Sequence, residues 1–119
     1  MKKFDLEDRL IEFADKIIDL VEILPESSKP ASHLGRQVLR SGTAPALLYG
    51  EVQGSESQAD FIHKNRLILK ELRETQICNK LINKRSYVPS EFMKNLLQEN
   101  GELVAIFTTT IQTATRRKN

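Results

Sequence analysis

The stretch LEDRLIEFADKIIDLVEIL, Leu6 to Leu24, decides the fold. Its residues Leu6, Leu10, Phe13, Ile17, Leu20 and Leu24 alternate spacings of four and three, the seam of a helix that packs lengthwise on another. A second row, Ile11, Ala14, Ile18 and Val21, runs beside the first. The apolar face is therefore wider than one antiparallel neighbour covers, and the helix is expected to touch several helices. Asp5, with Asp8 three residues on, suits an N-terminal cap, and Pro25 marks the stop.

Working outward, Pro25 to Pro30 reads as a surface loop of small polar residues. A second helix then starts near Pro30 or Ala31. Its seam is Leu34, Val38, Ser41, Pro45, Leu48 and Val52, and Pro45, which lacks an amide proton, should kink it near Ser41 and Gly42. Ser57-Gln58-Ala59-Asp60 resembles a capping box and opens a third helix. That helix places Phe61, Ile62, Ile68, Leu69 and Leu72 on one face and Ile77, Cys78, Leu81 and Ile82 on nearly the opposite one, so it should change partners midway. Ser90 after Pro89 suits a cap for the fourth helix. There Asn100-Gly101 signals a turn and Ile106 to Ile111 is rich in strand formers. Met93, Leu97, Asn100, Val104, Phe107, Ile111 and Ala114 nevertheless hold heptad phase through the glycine, which a hairpin would not preserve. The expectation is all-α: a single domain over residues 1–119, an antiparallel up-down-up-down four-helix bundle with a kinked second helix, the helices spanning about 5–24, 31–53, 58–85 and 90–116.

At 119 residues, with 39% hydrophobic and 29% charged side chains, the chain suits one compact domain and excludes a multidomain enzyme, a disordered tail and a membrane protein. Cys78 is the sole cysteine, which excludes an intrachain disulfide. Met1-Lys2-Lys3-Phe4-Asp5 leads into acidic amphipathic sequence without a signal-length apolar run, so a cytoplasmic location is expected.

The net charge is only +2, but it is unevenly spread. Residues 5–24 carry seven acids against two bases, and residues 60–85 carry seven bases against three acids. Two readings stand. In one, an acidic helix and a basic helix are simply solvated and pair weakly. In the other, Arg36, Arg40, Lys64, Arg66, Lys70, Arg73 and the tail Arg116, Arg117 and Lys118 form a phosphate-binding surface that oligomerisation would multiply.

Chemistry needs a convergent set of groups, and the sequence offers none. His33 and His63 stand in no metal-ligand spacing, no phosphate-binding glycine loop occurs, and Cys78 reads as a packing thiol. Tyr49 and Tyr87 read as interface or loop residues. Glu74 shares the face of Cys78 and Leu81 and should need a cationic partner, Arg36 or Arg40; the pair Arg40 and Glu74 is the structural expectation. No metal, cofactor or catalytic residue is expected.

The segments Arg36 to Pro45, Gly50-Glu51, Ser55-Glu56-Ser57 and Ala59 to Lys64, followed by Leu69 to Thr75, resemble the bacterial four-helix family of 23S rRNA intervening-sequence, or S23-like, proteins. The resemblance runs from about Arg9 to Ala114. Two stretches depart from the family pattern: Pro45-Ala46-Leu47-Leu48, where a small-polar segment is usual, and Gln76-Ile77-Cys78-Asn79, where an aromatic pair is common. The resemblance implies a bundle that assembles as a homopentamer, without enzyme activity. A distant branch resembles the accessory protein of diversity-generating retroelements, a basic pentameric barrel that binds reverse transcriptase and RNA. The functional expectation is a non-catalytic oligomeric module that binds RNA or DNA through a basic surface. The competing reading is a protein-interaction scaffold with no nucleic-acid role, its partner docking on the acidic first helix or a ring opening.

Overall fold

The structure, a computed structural model, describes residues 5–118; the side chain of Lys118 lies outside the described set, as do residues 1–4 on which the reading of the N-terminus rests. Four helices account for it: α1 (Leu6–Ile23), α2 (Lys29–Val52), α3 (Gln58–Lys84) and α4 (Ser90–Lys118). No strand occurs among the described residues.

Local chemistry sets the helix ends. Asp5 accepts the amide of Asp8 at 3.2 Å and Ser57 accepts the amide of Asp60 at 3.0 Å, each satisfying a donor that the first helical turn leaves unpaired. Asp60 in turn accepts from the amide of Glu56, one residue earlier than a capping box would place it. Helix α2 starts ahead of its expected position because Ser28 caps it by accepting the Ala31 amide, which puts Pro30 in the first turn, where it has no hydrogen bond to lose. Ser90 is the first helical residue of α4 and not the residue before it; the Pro89 carbonyl accepts the Met93 amide.

Packing follows chain order. Helix α2 lies between α1 and α3, α3 between α2 and α4, and α1 meets α4 along a narrow line. Helices α1 and α2, and α2 and α3, run in opposite senses: Gly42 faces Ile17 while Gly35 faces Leu24, and Ser41 pairs with Thr75 while Leu34 meets Cys78. Gly42 permits the closest approach, since a Cβ there would stand 2.7 Å from the Ile17 side chain. Leu10, Phe13, Ile17, Leu20, Val38, Ile68, Leu72, Ile82, Met93, Leu103 and Phe107 form the core.

Three details correct the sequence reading. The second row of α1 is only partly covered: Ala14 and Val21 are half-buried but Ile11 and Ile18 are exposed, and α1 touches only α2 and, narrowly, α4 among the described residues. Helix α3 keeps one buried row, Ile62, Asn65, Ile68, Leu72, Thr75, Asn79 and Ile82, so its core side does not switch; the supposed opposite face divides into buried Cys78 and Ile82 and exposed Ile77 and Leu81. On α4 the expected Met93, Asn100, Phe107 and Ala114 are buried, but Leu96 and Leu103 are buried where Leu97 and Val104 were expected, each one residue earlier.

Helix α4 continues through Asn100-Gly101 because the Asn100 amide is committed elsewhere. It donates to the Leu72 carbonyl at 3.1 Å and accepts from Asn79 at 3.0 Å, both on α3. The β-branched segment beyond stays helical with Thr108 and Thr110 hydroxyls donating to the carbonyls of Val104 and Ile106.

Candidate nucleic-acid interface

The basic residues singled out by sequence do not form one surface. Helical spacing places Arg66, Lys70 and Arg73 on the outer face of α3, and all three are exposed. None has an ion-pair partner among the described residues. Lys80 and Lys84, counted among the bases of residues 60–85 but not among the candidate phosphate contacts, continue the same ridge toward the helix end.

Arg40 and Lys64 face the α2–α3 boundary instead. Arg40 donates to Glu74 and, at 3.0 Å, to Glu71, so two carboxylates of α3 hold one guanidinium of α2 and raise its pKa. Glu71 is the partner that sequence missed. Lys64 pairs with Asp60 at 3.1 Å and donates to the Glu51 carbonyl at the end of α2. Asp60 is held below the usual carboxylate range, first by the Glu56 amide and then by Lys64. Arg36 lies elsewhere, bonded to Ser32 and lining the α1–α2 crevice. Arg116 and Arg117 are exposed at the far end of α4, where Arg117 borders an open groove of about 700 Å³ with Ser55, Ser57, Thr109 and Thr113.

The remaining candidates for chemistry are scattered. His33 and His63 are exposed on different helices, and among the described residues no group of three or more His, Cys, Asp or Glu could hold a metal ion. Cys78 is buried, and burial raises its thiol pKa, which disfavours the nucleophilic thiolate. Tyr49 packs edge-on against Phe107 with ring centres 6.2 Å apart, and burial pushes its hydroxyl pKa up. Tyr87 sits half-buried in the α3–α4 loop, its pKa lowered chiefly by a hydrogen bond with Ser28. Glu51 is exposed. No helix among the described residues is long and apolar enough to cross a membrane.

What the arrangement can do physically is present fixed positive charge. Three cations on one helical face, none already neutralised, match the spaced negative charge of a phosphate backbone and gain entropy from the counterions they displace.

No family model matches the chain, and no curated protein matches it in sequence. Among solved structures it is similar to a protein of unknown function from the S23 ribosomal protein family of Bacteroides thetaiotaomicron, at 28% identity and a TM-score of 0.82, over 90% of this chain and 98% of that one. The residues from Arg36 to Pro45 and from Ala59 to Lys64 resemble the same family, and the chain is thus similar to an S23-family protein in both sequence and four-helix fold.

Proposed function

We propose that the chain acts in the cytoplasm, without catalysis, as a self-associating module, a homopentamer, that binds RNA through its phosphate backbone on the outer face of α3. The observation that carries this reading is the contrast among its cations. Arg40 and Lys64 are met by carboxylates, whereas Arg66, Lys70 and Arg73 stand exposed on one face with no acid against them among the described residues. Self-association is supported by Ile11, Ile18, Ile77 and Leu81, which one protomer leaves in water. A single buried thiol supports the cytoplasmic reading.

The test is binding of single-stranded RNA across a salt series. About three phosphate contacts correspond to a slope of log K against log salt near −2. Reversing Arg66, Lys70 and Arg73 to Glu should abolish binding, while Arg40→Ala should leave it unchanged. A protein indifferent to RNA at low salt, co-purifying with one protein, selects the scaffold reading instead.

A further inference from the structure

Two pairs of exposed apolar side chains form rows on outer helix faces, while Ile23, Leu39 and Leu47 are exposed outside these rows. On α1, Ile11 and Ile18 are 50% and 41% exposed; on α3, Ile77 and Leu81 are 60% and 45% exposed. Spacings of seven and four put each pair on one face of its helix. Helices α1 and α3 make no contact among the described residues and occupy opposite corners, so the two rows point away from each other.

The charges around the rows are opposite. Asp8, Asp15 and Glu22 flank the isoleucines of α1, and Lys80 and Lys84 flank Ile77 and Leu81; all five are exposed. Pairing α1 with α1 would oppose carboxylates, and pairing α3 with α3 would oppose ammonium groups. Only the unlike pairing buries both apolar rows with their charges complementary. Beside the α1 row, a recess of about 220 Å³ lined by Val21, Leu24, Gly35 and Leu39 extends the apolar surface onto α2.

We infer that the exposed row of α1, Ile11 and Ile18, is covered by Ile77 and Leu81 of α3 from a second copy of this chain. The inference rests on the self-association proposed above and specifies which surfaces meet. Each protomer then offers one of each surface, a head-to-tail contact that closes into a ring or extends as a filament. Lys70 and Arg66 lie about 10 and 16 Å along α3 from Ile77, whereas Arg73, about 6 Å away, is the phosphate-facing cation nearest the docked segment.

Two variants, Ile18→Glu and Ile77→Glu, test it by light scattering at micromolar concentration, with far-UV circular dichroism to verify folding. Wild type should be a multiple of the monomer mass, and each variant alone should be a monomer. An equimolar mixture should give a dimer and nothing larger, because the Ile18→Glu copy keeps an intact α3 face and the Ile77→Glu copy an intact α1 face. Should either variant fail to fold, Ile11→Glu or Leu81→Glu replaces it. A variant that still assembles as wild type does, or a mixture that remains monomeric, overturns the unlike pairing. A monomeric wild type overturns the self-association reading itself, and the pairing with it.

Discussion

The buried row of α3 is Ile62, Asn65, Ile68, Leu72, Thr75, Asn79 and Ile82, and its exposed row is Arg66, Lys70, Arg73, Ile77, Leu81 and Lys84. Polar side chains occur inside and apolar ones outside, the reverse of what burial alone favours. The interior exceptions are hydrogen-bonded. Asn65 donates to the Phe61 carbonyl, Thr75 pairs with Ser41 at 2.8 Å, and Asn79 donates to Asn100, although its own carbonyl oxygen has no partner among the described residues. The bonds of Thr75 and Asn79 tie α3 to α2 and α4 at fixed heights and penalise sliding. The exterior exceptions have nothing of their own protomer over them. Partnered polar groups inside serve the fold, and unpartnered groups outside are available to something else.

The largest break in this comparison comes from the buried row. Leu72→Ala, at a fully buried position, should destabilise the fold by about 2–5 kcal/mol in urea unfolding. Next, Asn100→Leu removes the acceptor of Asn79 and should cost about 1–3 kcal/mol. The double variant Asn79→Leu with Asn100→Leu should recover part of that loss, since both halves of the polar contact are then gone. A smaller effect belongs to the exposed row: Ile77→Ser, measured at a dilution where the chain is monomeric, should alter stability by less than about 0.5 kcal/mol. A large loss there would mean that Ile77 serves the protomer's own fold.

The smallest effect sits at the start of α3. Asp60 has a lowered pKa in the folded chain, so its ionised form favours folding above the unfolded carboxylate value of about 3.9. That contribution fades as pH falls through the folded value. Asp60→Asn should remove this part of the acid dependence, seen as a flatter melting profile below pH about 4.

Helix number and type were legible because long seams with period 3.5 and capping residues are local signals. The inward side of α4 was legible at Met93, Asn100, Phe107 and Ala114, but not at two of its turns. Leu96-Leu97 and Leu103-Val104 each offer two adjacent apolar residues that satisfy the same period, and only the position of α3 and α1 selects the first of each pair. The buried row of α3 was hidden for a related reason: Thr75 and Asn79 read as surface residues until their partners Ser41 and Asn100 on other helices are known. The basic character of α3 was legible, but its division was not. Arg66, Lys70 and Arg73 are free to act only because Glu71 and Glu74 turn toward α2 and are taken by Arg40.

Sedimentation of the unaltered chain across a concentration series asks whether its bare outer rows meet in solution. A single species of several copies, five if the family resemblance extends to assembly, is the expected result. A species of 13.6 kDa at every concentration would contradict the account, because the isoleucines of α1 and the apolar end of α3 would then face water with nothing to cover them.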